Sequence, residues 1–94
     1  MTPAQRHMGR VADLACVACR RLHLGESPAE VHHIRGNGWG RASDFHTIPL
    51  CYLHHRGADG IHHLGVKAWE RRFWPQRELL AQTLNELDCS HLAD

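Results

Sequence analysis

The sequence predicts an α+β domain: a small, zinc-stabilised unit of two short strands and a helix, flanked by further helices. Three observations carry this. Cys16-x-x-Cys19 and Cys51-x-x-His54 each supply two metal-ligand side chains from one turn. Two short segments, Glu30–Arg35 and Phe45–Leu50, lie on either side of a glycine-rich stretch and have strand character. Near the end, Leu79, Leu80, Thr83, Leu84 and Leu87 recur at helical spacing.

The bulk numbers agree with a metal-braced domain. A chain of 94 residues makes one domain and buries only about 60–65% of its unfolded surface. Chains of this size usually need disulfides, metal or oligomerisation. With 43% hydrophobic and 22% charged residues, the composition is that of a folded globule rather than a disordered chain. No apolar run is long enough to cross a bilayer, and no secretion signal opens the chain. The expectation is a cytoplasmic protein with reduced thiols, in which paired Cys/His motifs read as a zinc site rather than disulfides.

Net charge is +1, but unevenly spread. Residues 1–77 hold all 11 basic side chains against six acids, a balance of +5, while residues 78–94 hold four acids and no base. Ten of the bases are Arg, the residue suited to bidentate phosphate contact. This tilts the expected partner toward nucleic acid.

In chain order, residues 1–10 read as a loose N-terminal arm, with Thr2-Pro3 able to start a helix that would cover residues 4–15. Cys16 to Cys19 must turn tightly if both thiolates meet one metal. Residues 20–30 hold Gly25, Ser27 and Pro28 and read as loop. In the first strand, Val31 and Ile34 flank the pair His32-His33. Gly36 to Gly40 has three glycines in five residues and reads as a turn. Phe45–Leu50 is the second strand, with Pro49 near its end. A short helix begins near Cys51 and stops at Gly57. Gly57–Gly65 reads as a glycine-bounded loop holding His62 and His63. Val66–Phe73 and Gln76–Leu87 read as helices parted by Pro75, with the C-terminal helix spanning 76–88. Trp69, Phe73 and Trp74 read as core. Cys89 has no partner motif and reads as a packing or tail residue.

Five of the ten histidines fall between Val31 and His55. Adjacent histidines on a strand face opposite sides, so His32 and His33 cannot serve one ion alike. One ligand and one base is the simpler division, since imidazole titrates near neutrality and can deprotonate water. His46, on the second strand, could orient His33 or contact a phosphate. His55, in the following helix, could complete a ligand set.

These segments resemble a known family. E-V-H-H-I, a glycine-rich loop and then H-T-I-P-L-C-x-x-H-H look like the ββα-metal motif of HNH (His-Me finger) endonucleases of the zinc-containing kind. The spacing and the trailing G-I-H-H-L-G look closest to small phage recombination-enhancement nucleases that act with RecA. The resemblance covers about residues 14–75, the expected motif core. It implies His33 as general base, with His46 in the slot of the family's middle Asn. It implies His32 and His55 as ligands of a catalytic cation (Mg²⁺, Mn²⁺, Ni²⁺ or Zn²⁺). Cys16, Cys19, Cys51 and His54 match the structural zinc ligands. The family hydrolyses DNA phosphodiesters with one divalent ion, leaving a 5′-phosphate and a 3′-hydroxyl. A further ligand would come from Asp59, His62 or His63, which compete.

Arg35 and Arg41 flank the glycine-rich loop, and Arg56, Arg71 and Arg72 complete a basic set able to contact backbone phosphates. Arg35, Arg41 and Arg56 are the expected DNA contacts, and Trp39 reads as a lid on the core. The expected partners are DNA and a RecA-type filament or another targeting protein, with monomer and dimer both open. The competing reading is a non-catalytic zinc module that binds nucleic acid or protein. It needs only the Cys16–His54 site and the arginines, whereas a nuclease needs a second metal position. Metal storage by the histidines ranks last, because the chain has no repeated His tract.

Overall fold

Each half of the Cys/His set sits where the chain turns into a helix. Cys16 has extended backbone, and its sulfur accepts from the Cys19 N–H as the cap of α2 (Val17–Arg21). Cys51, also extended, precedes α3 (Tyr52–His55). A helix start of this kind places residues three apart on one side, which brings Cys16 to Cys19 and Cys51 to His54. The structure, a computed structural model, describes residues 1–35 and 42–93, and side chains up to residue 88. The expectations for the glycine-rich turn, Trp39, Arg41 and the Cys89 side chain lie outside the described residues.

β1 (Glu30–His33) and β2 (Thr47–Leu50) pair antiparallel, with His32 opposite Ile48 and His33 opposite Thr47. Both strands are shorter than their expected spans. Just beyond the ladder the Ile34 N–H donates to the His46 carbonyl at 3.0 Å. Counting back by the antiparallel alternation, Pro49 falls opposite Val31 at a position that needs no N–H. That is why proline is tolerated inside β2. The strand–strand–helix order is the one expected, and the class is α+β, with a buried Cys/His group suited to a metal such as zinc.

Residues 1–10 are not a loose arm. α1 (Pro3–Asp13) begins at Pro3 under a capping box in which Thr2 and Gln5 satisfy each other's backbone N–H. Val11 is fully buried, and Arg10 Nη2 donates to the Leu87 carbonyl at 3.0 Å, tying the first helix to the last. The cap was visible in Thr2-Pro3; the packing that keeps the helix in place was not. The Gly57–Gly65 segment also departs from a plain loop, because α4 (Ile61–Leu64) is a helical turn inside it. α5 (Val66–Arg72) follows, and α6 (Gln76–Ala93) runs past the expected residue 88.

The core gathers Val17 and Ala18 of α2, Ile48 and Leu50 of β2, Ile61, Trp69 and Leu79 around the three thiols. Phe73 and Trp74 pack against it from the edge. Trp69 is fully buried and donates its indole N–H to the Asp59 carbonyl at 3.0 Å, so the turn before α4 is held to α5. Arg20 and Arg21 reach α6 through Glu86, Gln82 and Glu78. Among the described residues, no helix is long and apolar enough to cross a membrane.

Gly60 is buried directly behind His55. A Cβ there would lie 2.7 Å from the Arg56 nitrogen and from the His55 carbonyl carbon and oxygen. These are backbone atoms that cannot swing aside. Gly60→Ala is therefore expected to lower stability by about 1–3 kcal/mol, the usual cost of overpacking. Urea denaturation of metal-loaded protein measures it; an unchanged midpoint would show that the turn relaxes without strain.

Candidate functional site

Two groups of metal-ligating side chains lie on either side of α3, one formed with His54 and one with His55.

The first is Cys16, Cys19, Cys51 and His54, all buried. The His54 Nδ1 lies 3.9, 3.6 and 3.2 Å from the sulfurs of Cys16, Cys19 and Cys51, and the Cys19 and Cys51 sulfurs are 3.6 Å apart. Ligands at zinc bond lengths in a tetrahedron would stand roughly 3.6–3.8 Å from one another. The four donors fit such an ion. Burial pushes the Cys16 thiol up to about 12, and a bound cation supplies the opposite pull by favouring thiolate. The three thiols are not joined as disulfides.

The second is His32, His55 and His62, whose candidate ligand nitrogens lie within 4.8 Å of one another. The strand alternation turns His32 inward, where it is 4% exposed, and leaves His33 half-buried on the other face. The His55 and His62 Nε2 atoms stand 3.1 Å apart. The His32 ring meets the other two nearly edge-on, with centroids 5.1 Å from each.

Each inner histidine is held from behind. His55 donates Nδ1–H to Glu30 Oε1 at 2.8 Å, which leaves Nε2 with its lone pair toward His62. His32 Nε2 lies 2.7 Å from Gln76 Oε1, and its Nδ1 is buried with no hydrogen-bond partner. Buried polar atoms are nearly always satisfied, and a cation held by the three imidazoles could satisfy this one. The donor set is three imidazole nitrogens, which suits a borderline divalent metal. Burial pushes His32 down to about 4, against the pull of the Gln76 bond, and the nearby His55 and His62 add to it. The ring is therefore neutral at physiological pH, as a ligand must be. The Glu30 carboxyl is held down at about 2 by Arg56 and then His55, so it stays charged.

On the outer face of β1, His33 donates Nε2–H to Asp44 Oδ1 at 2.8 Å. Asp44 sits in a turn closed by the His46 N–H donating to the Ser43 carbonyl at 3.1 Å and by Thr47 Oγ1 donating to the Asp44 carbonyl at 3.2 Å. The turn thus delivers a carboxylate to one side of the ring and leaves Nδ1 on the other. His46 is part-buried and enters β2 from this same turn.

The competition for the third ligand separates by position. His62 joins His32 and His55. The Asp59 carboxylate instead pairs with Arg72 at 3.0 Å, and the exposed His63 is in neither group. Of the arginines, Arg35 is exposed, and Arg56 grips Glu30 through Nε at 3.0 Å and Nη2 at 2.5 Å while lying over the Tyr52 ring.

Residues 2–88 match the model of a family described as recombination enhancement, RecA-dependent nuclease. The chain belongs to that family. No curated protein and no solved structure matches it. The match extends past the 14–75 stretch and takes in α1 and most of α6, the two helices that Arg10 joins.

Three residues of this nuclease were missed in the sequence: Glu30, Asp44 and Gln76. All three bond a histidine side chain, and none sits in a ligand-like spacing. Glu30 immediately precedes the V-H-H run, and Asp44 stands two before His46, so proximity was the available signal. Gln76 lies 44 residues from His32 and had no local signal at all.

Proposed function

We propose that the nuclease is a metal-dependent HNH-type endonuclease that hydrolyses DNA phosphodiester bonds in recombination. The observation supporting this most is that His32, His55 and His62 bring candidate ligand nitrogens within 4.8 Å of one another, with the buried His32 Nδ1 unsatisfied, in a group separate from the thiolate one. A zinc module needs one closed site; a second site lined by three ligands leaves coordination positions for substrate.

In this reading Cys16, Cys19, Cys51 and His54 hold a structural zinc. His32, His55 and His62 would hold a borderline divalent ion such as Ni²⁺ or Zn²⁺. An ion bound there would supply Lewis-acid polarisation of the scissile phosphate and charge stabilisation at the departing 3′-oxygen. His33 is the general base: its Nδ1 takes a proton from the attacking water while Asp44 fixes the ring and stabilises the imidazolium that forms. The new P–O bond forms from that water oxygen and the P–O3′ bond breaks, leaving a 5′-phosphate and a 3′-hydroxyl. His46, delivered by the turn that holds Asp44, contacts the phosphate. Arg35, Arg41 and Arg56 supply backbone contacts, Arg56 by exchanging Glu30 for phosphate. Cytoplasmic thiols and a RecA-type filament as targeting partner complete the proposal, the latter supported by the family's description.

Metal analysis with a plasmid-nicking assay, run with and without a RecA filament, tests it. Wild type is expected to carry two metal equivalents and to nick DNA when a divalent cation is added. His62→Ala is expected to keep the thiolate-bound metal, lose the second, and lose nicking by about 10²-fold or more, since the cation supplies several kcal/mol to the transition state. One metal equivalent and no nicking under any condition would replace this reading with the zinc module.

A further inference from the structure

We infer that Gln76, at the start of α6, is a positioning residue that fixes His32 with Nε2 protonated and Nδ1 presented to a divalent cation. The inference rests on the reading of His32, His55 and His62 as a cation site and deepens it. It places α6, a helix remote in sequence, behind the metal.

Three observations carry it. Gln76 is 5% exposed, and its Oε1 stands 2.7 Å from His32 Nε2, so the contact is a buried, short hydrogen bond. The backbone of Gln76 is itself pinned, its N–H donating to Glu70 Oε2 at 2.6 Å across the α5–α6 junction. And His32 Nδ1 is buried with no hydrogen-bond partner, in a ring whose centroid stands 5.1 Å from those of His55 and His62.

A neutral imidazole has one donor and one acceptor nitrogen, and the bond at one decides the other. With the Gln76 oxygen accepting from Nε2–H, the lone pair lies on Nδ1, the ring nitrogen left free for a cation. Were the amide turned so that its NH₂ donated to Nε2, Nδ1 would carry the proton. It would then offer a buried N–H in place of a lone pair and close that nitrogen to a cation. The same logic acts on His55, where Glu30 can only accept, so that Nε2 must be the ligand atom. Two ligands thus have their tautomers set from behind by two different elements: Glu30 at the head of β1 and Gln76 at the head of α6. Such outer partners orient the ligand and raise its basicity, and losing one commonly weakens metal binding about 10–100-fold.

Gln76→Leu keeps the bulk and removes the acceptor. Gln76→Glu restores an acceptor that cannot donate in its ionised form. Zinc-loaded wild type and both variants would be titrated with Ni²⁺ by calorimetry, with zinc content measured in parallel. The expected result is about 10–100-fold weaker Ni²⁺ binding in Gln76→Leu, affinity recovered to near wild type in Gln76→Glu, and one zinc equivalent in all three proteins. Equal Ni²⁺ affinity in Gln76→Leu and wild type would overturn the inference and leave the cation site standing. So would a Gln76→Glu protein as weak as Gln76→Leu, because that would make the role one of packing. Wild type that takes up no Ni²⁺ beyond its zinc would overturn the cation site, and this inference with it.

Discussion

Chelation of the thiolate-bound metal is expected to unfold the domain outright. The three thiols and His54 are the centre of the core, with Cys16 fully buried, Cys19 4% and Cys51 8% exposed. They join α2, the end of β2 and α3, elements that are otherwise one or two turns long. Short helices of this kind do not persist on their own. A structural zinc supplies about 10–16 kcal/mol of apparent binding free energy, whereas a whole domain is stable by about 5–15 kcal/mol. The metal term is therefore as large as the net stability, and its removal leaves little to hold the fold. Cys19→Ser should act in the same direction, since a hydroxyl is a poor ligand for zinc and leaves a buried polar group unsatisfied. Far-ultraviolet circular dichroism before and after chelation reads the outcome. A chelated protein with native spectrum and cooperative melting would show that the apolar core suffices, and would remove the zinc from the account of folding.

The second large effect concerns chemistry and leaves folding alone. His33→Ala is expected to lower DNA nicking by about two to four orders of magnitude, the usual contribution of a positioned general base, while both metal equivalents are retained. His33 is half-buried on the outer face of β1, held by Asp44 and by no metal ligand, so its truncation opens no core cavity. Asp44→Asn should give a smaller loss, because an amide can still hold the ring but through the wrong tautomer and without charge. The single-turnover rate at saturating cation measures both. Undiminished cleavage by His33→Ala would take His33 out of the mechanism. A loss accompanied by a missing metal equivalent would make it a ligand instead.

Much of the site was legible because metal chemistry constrains sequence locally. Cys16 with Cys19, and Cys51 with His54, must be three apart to share an ion from a helix start, and that spacing is written in the chain. The opposite facing of His32 and His33 follows from strand geometry, and the structure has one buried and the other half-exposed. The β-ladder and the last two helices, α5 and α6, were legible for the same reason: their patterns are local. What periodicity could not supply was the choice among Asp59, His62 and His63. Gly57 and Gly60 argue against a continued helix, but they do not say that a new helical turn starts at Ile61 and swings His62 back over His55. That turn is set by tertiary contact, with Ile61 in the core and the Asp59 carbonyl held by Trp69. The same contact, together with the Arg72 pairing, takes Asp59 out of reach.

The N-terminal helix teaches the same lesson. Thr2 and Pro3 carry a start signal, and the helix expected over residues 4–15 is α1. That residues 1–10 pack rather than form a loose arm was not legible: Val11 buried in the fold and Arg10 bonded to α6 help to keep the helix in place.

By itself, the sequence determined which side chains could bind metal and in what pairs, because ligand spacing and strand alternation are short-range rules. The tertiary structure decided which third histidine stands with His32 and His55, which carboxylate bonds His33, and that Gln76 stands behind His32. Those choices span from 7 residues, His55 to His62, to 44, Gln76 to His32. They depend on how separate elements pack on one another, which no local pattern encodes.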